Sequence, residues 1–108
     1  MIAFDTNILV RILVMDHPEQ VAIARQLMAQ DTVFISRTVL LETEWVLRSR
    51  YHKSRSELLA FFRALLETEN TVIETAEAIS QAIKWYAQGA DFADALHLAT
   101  CGSAVMQT

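Results

Sequence analysis

The sequence predicts an α/β protein with a small central parallel sheet flanked by helices. Three short, largely apolar runs alternate with longer segments in which apolar residues recur at helical spacing. Strands and helices that alternate in this way are typical of parallel sheets, because each helix returns the chain to the start of the next strand. The 108 residues correspond to one domain, and 53% apolar residues are enough for a packed core.

The first half of the chain contains two predicted strands and three predicted helices. Each strand is a short apolar run that ends at a polar residue. Pro18 supports the start of the second helix, because proline favours the first helical turn. In chain order these elements are a strand over 2–4, a helix over 8–14 capped by Thr6 or Asn7, a helix from His17 to about Gln30, a strand over 33–35 and a helix from Arg37 to about Tyr51.

The second half contains one predicted strand and three predicted helices. Ser54 and Glu57 have the spacing of a capping box, which opens a helix. In chain order the elements are a helix over 58–67, a strand over 71–73, a helix from Thr75 to Gln88 that stops at Gly89, and a helix from about Phe92 to Thr100 punctuated by Gly102. Residues 104–106 are expected to begin a further strand.

The composition indicates the cellular compartment in which the protein works. The single cysteine, Cys101, cannot form an internal disulfide, which favours a reducing compartment. No apolar run approaches the roughly 20 residues that span a bilayer, and the N-terminus lacks the basic and apolar regions of a signal peptide. We therefore expect a cytoplasmic protein without a membrane partner.

The formal net charge of −4 conceals an uneven distribution of charge. Six of the nine basic residues lie in the middle of the chain, namely Arg37, Arg48, Arg50, Lys53, Arg55 and Arg63. A basic strip on an acidic protein suits an acidic partner such as RNA or an acidic protein segment. Charge alone favours the simpler interpretation of solvated helix faces.

Two acidic positions in the first half are unusual. Asp5 directly follows an apolar strand, where it serves equally well as a helix N-cap or as part of a site. Helical periodicity places Glu42 in the middle of the apolar arc that includes Val39 and Val46, whereas Glu44 projects to the rim. Because burial of a lone carboxylate is costly, we expect Glu42 to be paired with a nearby arginine, protonated or bound to a cation.

Asp91 and Asp94 form a further acidic position. Their spacing of three places them on one face of the last helix, although Asp91 could be its N-cap and Asp94 could interact with the helix dipole. Asp5, Glu42 and Asp94 together are harder to explain by structure alone, because clustered carboxylates repel one another unless a cation holds them. Mg²⁺ and Mn²⁺ suit all-oxygen ligands, and such ions activate water for phosphodiester cleavage.

Three motifs follow one another along the chain, namely Asp5-Thr6-Asn7 after the first strand, Phe34-Ile35-Ser36 with the helix of Glu42, and Asp91-Phe92-Ala93-Asp94. This ordered set resembles that of PIN-domain nucleases. The spacing matches across essentially the whole chain, and the short length is similar to that of the VapC-type toxins of bacterial toxin–antitoxin pairs. The resemblance implies a PIN-like three-layer fold and a metal-dependent endoribonuclease that is often dimeric and is inhibited by a cognate antitoxin.

The resemblance also implies a role for each motif position. The expected catalytic and Mg²⁺- or Mn²⁺-binding acids are Asp5, Glu42 and Asp94, with Asp91 as an auxiliary ligand. The residues expected to orient these carboxylates are Thr6, Asn7 and Ser36. The bases that we expect to guide the RNA backbone are Arg48, Arg50, Lys53 and Arg55.

The C-terminus departs from the family pattern. The family commonly has a fourth acidic residue after one more strand, and this sequence ends at Gln107-Thr108, where that motif would begin. The closing strand and the fourth acid are therefore expected to be missing. The rival interpretation is a catalytically impaired module that only binds antitoxin or RNA. A phosphatase of the haloacid dehalogenase type ranks lower, because Asn7 occupies the place of that family's second Asp.

Overall fold

The protein has the alternation of strands and helices that its sequence predicts. The computed structural model describes residues 1–14 and 18–106. In chain order the elements are β1 (Ile2–Ala3), α1 (Thr6–Val14), α2 (Pro18–Gln30), β2 (Val33–Ile35), α3 (Arg37–Ser49), α4 (Arg55–Glu67), β3 (Thr71–Ile73), α5 (Ala76–Ala87) and α6 (Phe92–Met106). Over the described ranges, six helices accompany a three-stranded sheet, which confirms the predicted α/β class.

The three strands lie in the order β1-β2-β3 and run parallel. Ile2 is aligned with Val33, and Val33 is aligned in turn with Thr71, so that the strands start at the same level. The Glu74 N–H donates to the Ile35 carbonyl at 3.0 Å and continues the ladder past the end of β3. The residues that follow the three strands therefore meet at one edge of the sheet, which is where α/β proteins commonly form their sites.

Large apolar side chains join the sheet to the helices. Val33 and Ile35 of β2 are fully buried, as expected for the central strand of a parallel sheet. Phe62 of α4 stacks on Phe92 of α6 with ring centroids 4.9 Å apart, and Tyr86 of α5 meets Phe92 edge-on at 5.5 Å. This aromatic cluster fixes the start of α6, the segment that carries the third acidic motif.

The cap of α1 is Asp5, as one interpretation of that residue proposed, and not Thr6 or Asn7. The Ile8 N–H donates to Asp5 Oδ1 at 3.0 Å, so Asp5 is the capping residue and the helix already includes Thr6. The expected cap at Thr6 or Asn7 is wrong because β1 ends at Ala3, and the chain enters its first helical turn one to two residues earlier than the sequence suggested.

The other helix starts agree with their local signals. Ser54 Oγ accepts from the Glu57 N–H at 3.1 Å and Glu57 Oε1 accepts from the Ser54 N–H at 3.2 Å, which confirms the capping box of α4. Helix α2 begins at Pro18, in the first-turn position that proline favours. His17, which was expected at the same start, lies outside the described residues.

The end of α6 overturns one prediction. The sequence indicated a helix to about Thr100 and a new strand over 104–106, whereas α6 continues to Met106. A short apolar run does not distinguish strand from helix by its periodicity. A helix closes its hydrogen bonds within the segment and a strand needs a neighbour, so the helical form continues through Gly102 despite the cost of an internal glycine.

Candidate active site

Polar side chains follow all three strands at the carboxyl edge of the sheet. Ser36 follows β2 and caps α3, because its Oγ accepts from the Val39 N–H at 3.1 Å. Glu74 follows β3, and its Oε1 accepts from the Arg37 N–H at 2.8 Å, which adds a carboxylate to the same helix start. Glu74 is not among the predicted site residues, although it directly follows a strand, which is the signal that also marks Asp5.

A hydrogen bond joins the first acidic motif to the helix of the second. Thr6 Oγ1 donates to Glu42 Oε2 at 2.9 Å, between residues 36 positions apart in the chain. Asp5, the residue before Thr6, is exposed and uses Oδ1 to cap α1. Asn7, the residue after it, is also exposed in the first turn of α1. The Asp5-Thr6-Asn7 motif is therefore attached to α3 at Glu42.

The exposures of the two glutamates of α3 are the reverse of the prediction. Glu42, expected in the middle of a buried arc, is exposed to solvent. Glu44, expected at the rim, is only 4% exposed. The prediction failed because it assigned the wrong face of α3 to the core.

The buried face of α3 is centred on residues other than the most apolar ones. The buried residues of this helix are Leu40, Thr43, Glu44 and Leu47. They have the i, i+3, i+4, i+7 spacing of a core-facing stripe. The helix also carries apolar residues outside this stripe, since Val39, Leu41 and Val46 are only partly buried and Trp45 is 52% exposed. These residues shifted the apparent centre of the arc toward Glu42.

Glu44 is satisfied by two side chains. Its Oε2 accepts from Arg48 Nε at 2.8 Å and from the Tyr86 hydroxyl at 3.3 Å. The hydrogen bond to Glu44 raises the pKa of the Arg48 guanidinium above its ordinary value. Burial, followed by the negative charge of Glu44, raises the pKa of Tyr86 from 10.0 to about 12. This arrangement holds α3 against α5 and uses the buried carboxylate for structure.

Asp91 and Asp94 lie at the start of α6. Asp91 Oδ2 accepts from the Asp94 N–H at 3.1 Å, so Asp91 is the N-cap of α6. This confirms the structural interpretation of Asp91. Both side chains are exposed. Asp94 also lines an open cavity of about 350 Å³ between α5 and α6, together with Trp85 and Leu98.

The acids that were expected to share a metal ion do not form a cluster of three within the described residues. No three Asp, Glu, His or Cys side chains of the described residues are close enough to hold one ion. The structure brings Thr6 to Glu42 and joins Asp91 to the backbone of Asp94, but it does not gather Asp5, Glu42 and Asp94 into one cluster. The metal-binding role of these residues stays a prediction.

The four bases that were expected to guide RNA all contact other parts of the protein. Arg48 pairs with Glu44, and Lys53 Nζ lies 3.5 Å from a carboxylate oxygen of the nearby Glu57. The Arg50 guanidinium carbon lies 5.9 Å from the ring centroid of Trp45, and Arg55 donates to two backbone carbonyls. A guanidinium that already donates to a carboxylate or a carbonyl has fewer free N–H donors to offer a phosphate. Their binding of RNA stays a prediction.

The fold and the acidic edge define a small α/β domain whose candidate site lies beyond the carboxyl ends of parallel strands. A family model described as the PIN domain matches residues 2–105. The chain therefore belongs to the PIN domain family, whose members are generally nucleases.

Two other comparisons add no relative. No curated protein and no solved structure matches the chain significantly. Within residues 1–14 and 18–106, none of the helices combines the length and the apolar character needed to cross a bilayer.

Proposed function

We propose that the protein is an endoribonuclease that requires Mg²⁺ or Mn²⁺ and acts as the toxin of a type II toxin–antitoxin pair. Membership of the PIN family supports nuclease activity. The observation that carries the assignment to this site is the 2.9 Å hydrogen bond from Thr6 to Glu42. That bond brings the first two acidic motifs together at the carboxyl edge of the sheet.

The chemistry of the acidic residues fits a hard divalent cation. The carboxylates of the three motifs, those of Asp5, Glu42, Asp91 and Asp94, are exposed. Carboxylate oxygens are the ligands that Mg²⁺ and Mn²⁺ prefer, so these residues would hold the ion. When bound, such an ion supplies an activated water and stabilises the leaving oxygen of the phosphodiester.

The neighbouring groups have defined tasks in this proposal. The Thr6 hydroxyl orients Glu42 by donating to one of its carboxylate oxygens. Asp5 and Asp91 each use one oxygen to cap a helix, which restricts the side chain while the second oxygen can bind a ligand. Among the bases, Arg50 is the best phosphate contact because its partner is an aromatic ring and not an acid.

The biological part of the proposal concerns the partners. A cognate antitoxin would inhibit the nuclease, and the toxin would act as a homodimer in the cytoplasm. The resemblance of the three motifs to those of VapC-type toxins supports this part. Expression of the wild-type chain should arrest bacterial growth, and expression of Asp5→Asn should not. Growth that continues with the folded wild-type protein would contradict the toxin role.

The alternative is a module that binds antitoxin or RNA without cleavage. The observation in its favour is that, among the described residues, the acids do not form a cluster able to hold a metal ion. The two functions differ in one measurable property, because only the nuclease needs a shared carboxylate site for a divalent ion.

Calorimetric titration of Mn²⁺ distinguishes the two functions. The wild type is compared with Asp5→Asn and Asp94→Asn, and with Glu67→Gln as a matched control at the exposed end of α4. Asparagine caps helices about as well as aspartate, so the substitution at Asp5 tests charge with little effect on α1. RNA cleavage is measured on the same four proteins.

We expect the wild type and Glu67→Gln to bind Mn²⁺ and cleave RNA. Both activities should be lost in Asp5→Asn and Asp94→Asn, while circular dichroism shows an unchanged fold. An Asp5→Asn protein with full cleavage activity would overturn the nuclease assignment. RNA binding without Mn²⁺ binding or cleavage in the wild type would establish the binding module.

A further inference from the structure

A basic side chain at the start of α4 contacts the turn that precedes the third acidic motif. Arg55 Nη1 donates to the carbonyl of Tyr86 at 2.6 Å and to that of Ala90 at 2.8 Å. We propose that Arg55 is a positioning residue that fixes the α5–α6 turn and thereby the direction in which Asp91 and Asp94 project. This inference rests on the proposed nuclease function and gives Arg55 a task other than binding RNA.

The two hydrogen bonds from Arg55 to the α5–α6 turn are called the clamp below. Because the turn is short, the clamp directly affects the positions of Asp91 and Asp94. Gly89 adopts a φ of 111°, its N–H donates to the Tyr86 carbonyl at 3.1 Å, and the Ala90 N–H donates to the Trp85 carbonyl at 3.1 Å. These two bonds form a Schellman motif, which closes the end of α5. The next residue, Asp91, is already the cap of α6. No flexible segment separates the Ala90 carbonyl from the acidic motif.

The chemistry of arginine suits this clamp. The carbonyls at a helix C-terminus carry partial negative charge, which a cation stabilises. The guanidinium carbon of Arg55 also lies 4.3 Å from the ring centroid of Tyr86, a cation–π contact. A planar guanidinium can stack on the ring and donate to both carbonyls at once, whereas a lysine ammonium lacks that planar geometry.

Tyr86 extends the clamp to the helix of the second motif. Its hydroxyl donates to Glu44 at 3.3 Å, and Glu44 lies two residues from Glu42 on α3. Arg48, which donates to the same carboxylate oxygen, lies near enough to Asp91 for their charges to interact. The helix of Glu42 and the turn before Asp94 are therefore connected through Tyr86, with Arg55 holding the backbone at that residue.

Amide hydrogen exchange tests the positioning without any need for metal or RNA. The wild type is compared with Arg55→Ala and Arg55→Lys, and with Arg63→Ala because Arg63 is another exposed arginine of α4. We expect exchange over residues 89–95 to be about tenfold faster in both Arg55 variants, since charged hydrogen bonds to the turn are lost or weakened. Exchange in α1 and in the Arg63→Ala protein should match the wild type.

Mn²⁺ titration and cleavage kinetics then connect the turn to the site. We expect the Arg55 variants to bind Mn²⁺ about 10- to 100-fold more weakly and to lose kcat, with the KM for RNA unchanged. Unchanged exchange over residues 89–95 would overturn the proposal. Faster exchange with unaltered Mn²⁺ affinity and kcat would also overturn it.

The test separates this inference from the proposed function. A rise confined to KM that Arg55→Lys reverses is the behaviour of a phosphate-binding cation, and it would contradict positioning while leaving the nuclease intact. If the wild type neither binds Mn²⁺ nor cleaves RNA, the nuclease proposal fails. The exchange rates then decide by themselves whether Arg55 fixes the turn.

Discussion

Glu42 and Glu44 lie two residues apart on α3 and have opposite surroundings. Glu44 is 4% exposed and accepts hydrogen bonds from Arg48 and from the buried Tyr86. Glu42 is exposed and accepts from the hydroxyl of Thr6. Glu44 links α3 to α5 through Tyr86, and Glu42 contacts the first acidic motif at the carboxyl edge of the sheet.

The difference indicates how a structural acid can be distinguished from a candidate ligand. A buried carboxylate is stable when charged and neutral donors replace its hydration, and Glu44 has one donor of each kind. An exposed carboxylate stays hydrated, so its charge costs little free energy. With only a neutral donor as its partner, it can still bind a cation. Glu42 therefore fits a metal ligand better than Glu44 does, although the sequence suggested that Glu42 was the buried one.

The largest expected effect on stability comes from removing the buried acid. Glu44→Ala should lower the free energy of unfolding by about 1–3 kcal/mol, because the hydroxyl of buried Tyr86 loses its acceptor. Glu42→Ala, the matched change on the exposed side of the same helix, should alter stability by less than about 0.5 kcal/mol and abolish cleavage. Urea denaturation of both variants measures the difference.

A double-mutant cycle sharpens this result. Adding Tyr86→Phe to Glu44→Ala removes the orphaned hydroxyl, so the double variant should lose less stability than the sum of the two single variants. Equal stability of Glu42→Ala and Glu44→Ala would remove the distinction between the two glutamates.

The next largest expected effect is a loss of stability at alkaline pH, caused by the ionisation of Tyr86. Its pKa is raised to about 12 by burial and by the charge of Glu44, whereas the unfolded value is close to 10.0. A group with a raised pKa contributes stability below its unfolded value and loses that contribution as the pH rises through the folded value. We therefore expect stability to fall between pH 10 and about 12 from this group.

The two tyrosines of the chain allow a direct measurement. In Tyr51→Phe, which changes the exposed tyrosine, ultraviolet absorbance should report a single tyrosinate transition near pH 12. In Tyr86→Phe the transition near pH 12 should be absent. A transition of Tyr86 at its ordinary pKa would show that Glu44 and Tyr86 do not form a buried pair.

The elements of the fold could be predicted because their signals are local. Three elements lie where the sequence predicted them, because each depends on residues that are neighbours in the chain. They are the strands over 33–35 and 71–73 and the capping box at Ser54 and Glu57. The end of α6 could not be predicted in this way, because residues 104–106 are compatible with both strand and helix until their hydrogen-bond partners are known.

The candidate site was less predictable because its geometry depends on tertiary contacts. The choice between Glu42 and Glu44 as the buried acid depends on which face of α3 meets the core, and periodicity cannot detect the hydroxyl of Tyr86, which comes from a helix distant in sequence. The clamp of Arg55 on two backbone carbonyls leaves no pattern in the side-chain sequence. By contrast, Asp5 and Asp91 were correctly expected as possible helix caps, since capping involves residues close in sequence.

The smallest expected effect comes from the hydroxyl that contacts the exposed glutamate. Thr6→Val keeps the shape of the side chain and removes the donor to Glu42, whereas Thr6→Ser keeps the donor. We expect Thr6→Val to reduce Mn²⁺ affinity and cleavage about tenfold, as for other groups that orient a metal ligand, and Thr6→Ser to retain most of both. Stability should change by less than about 1 kcal/mol because the bond is exposed. Full Mn²⁺ affinity and cleavage in Thr6→Val would mean that Glu42 needs no orienting contact, and the hydrogen bond that attaches the first motif to α3 would then be a surface feature unrelated to the site.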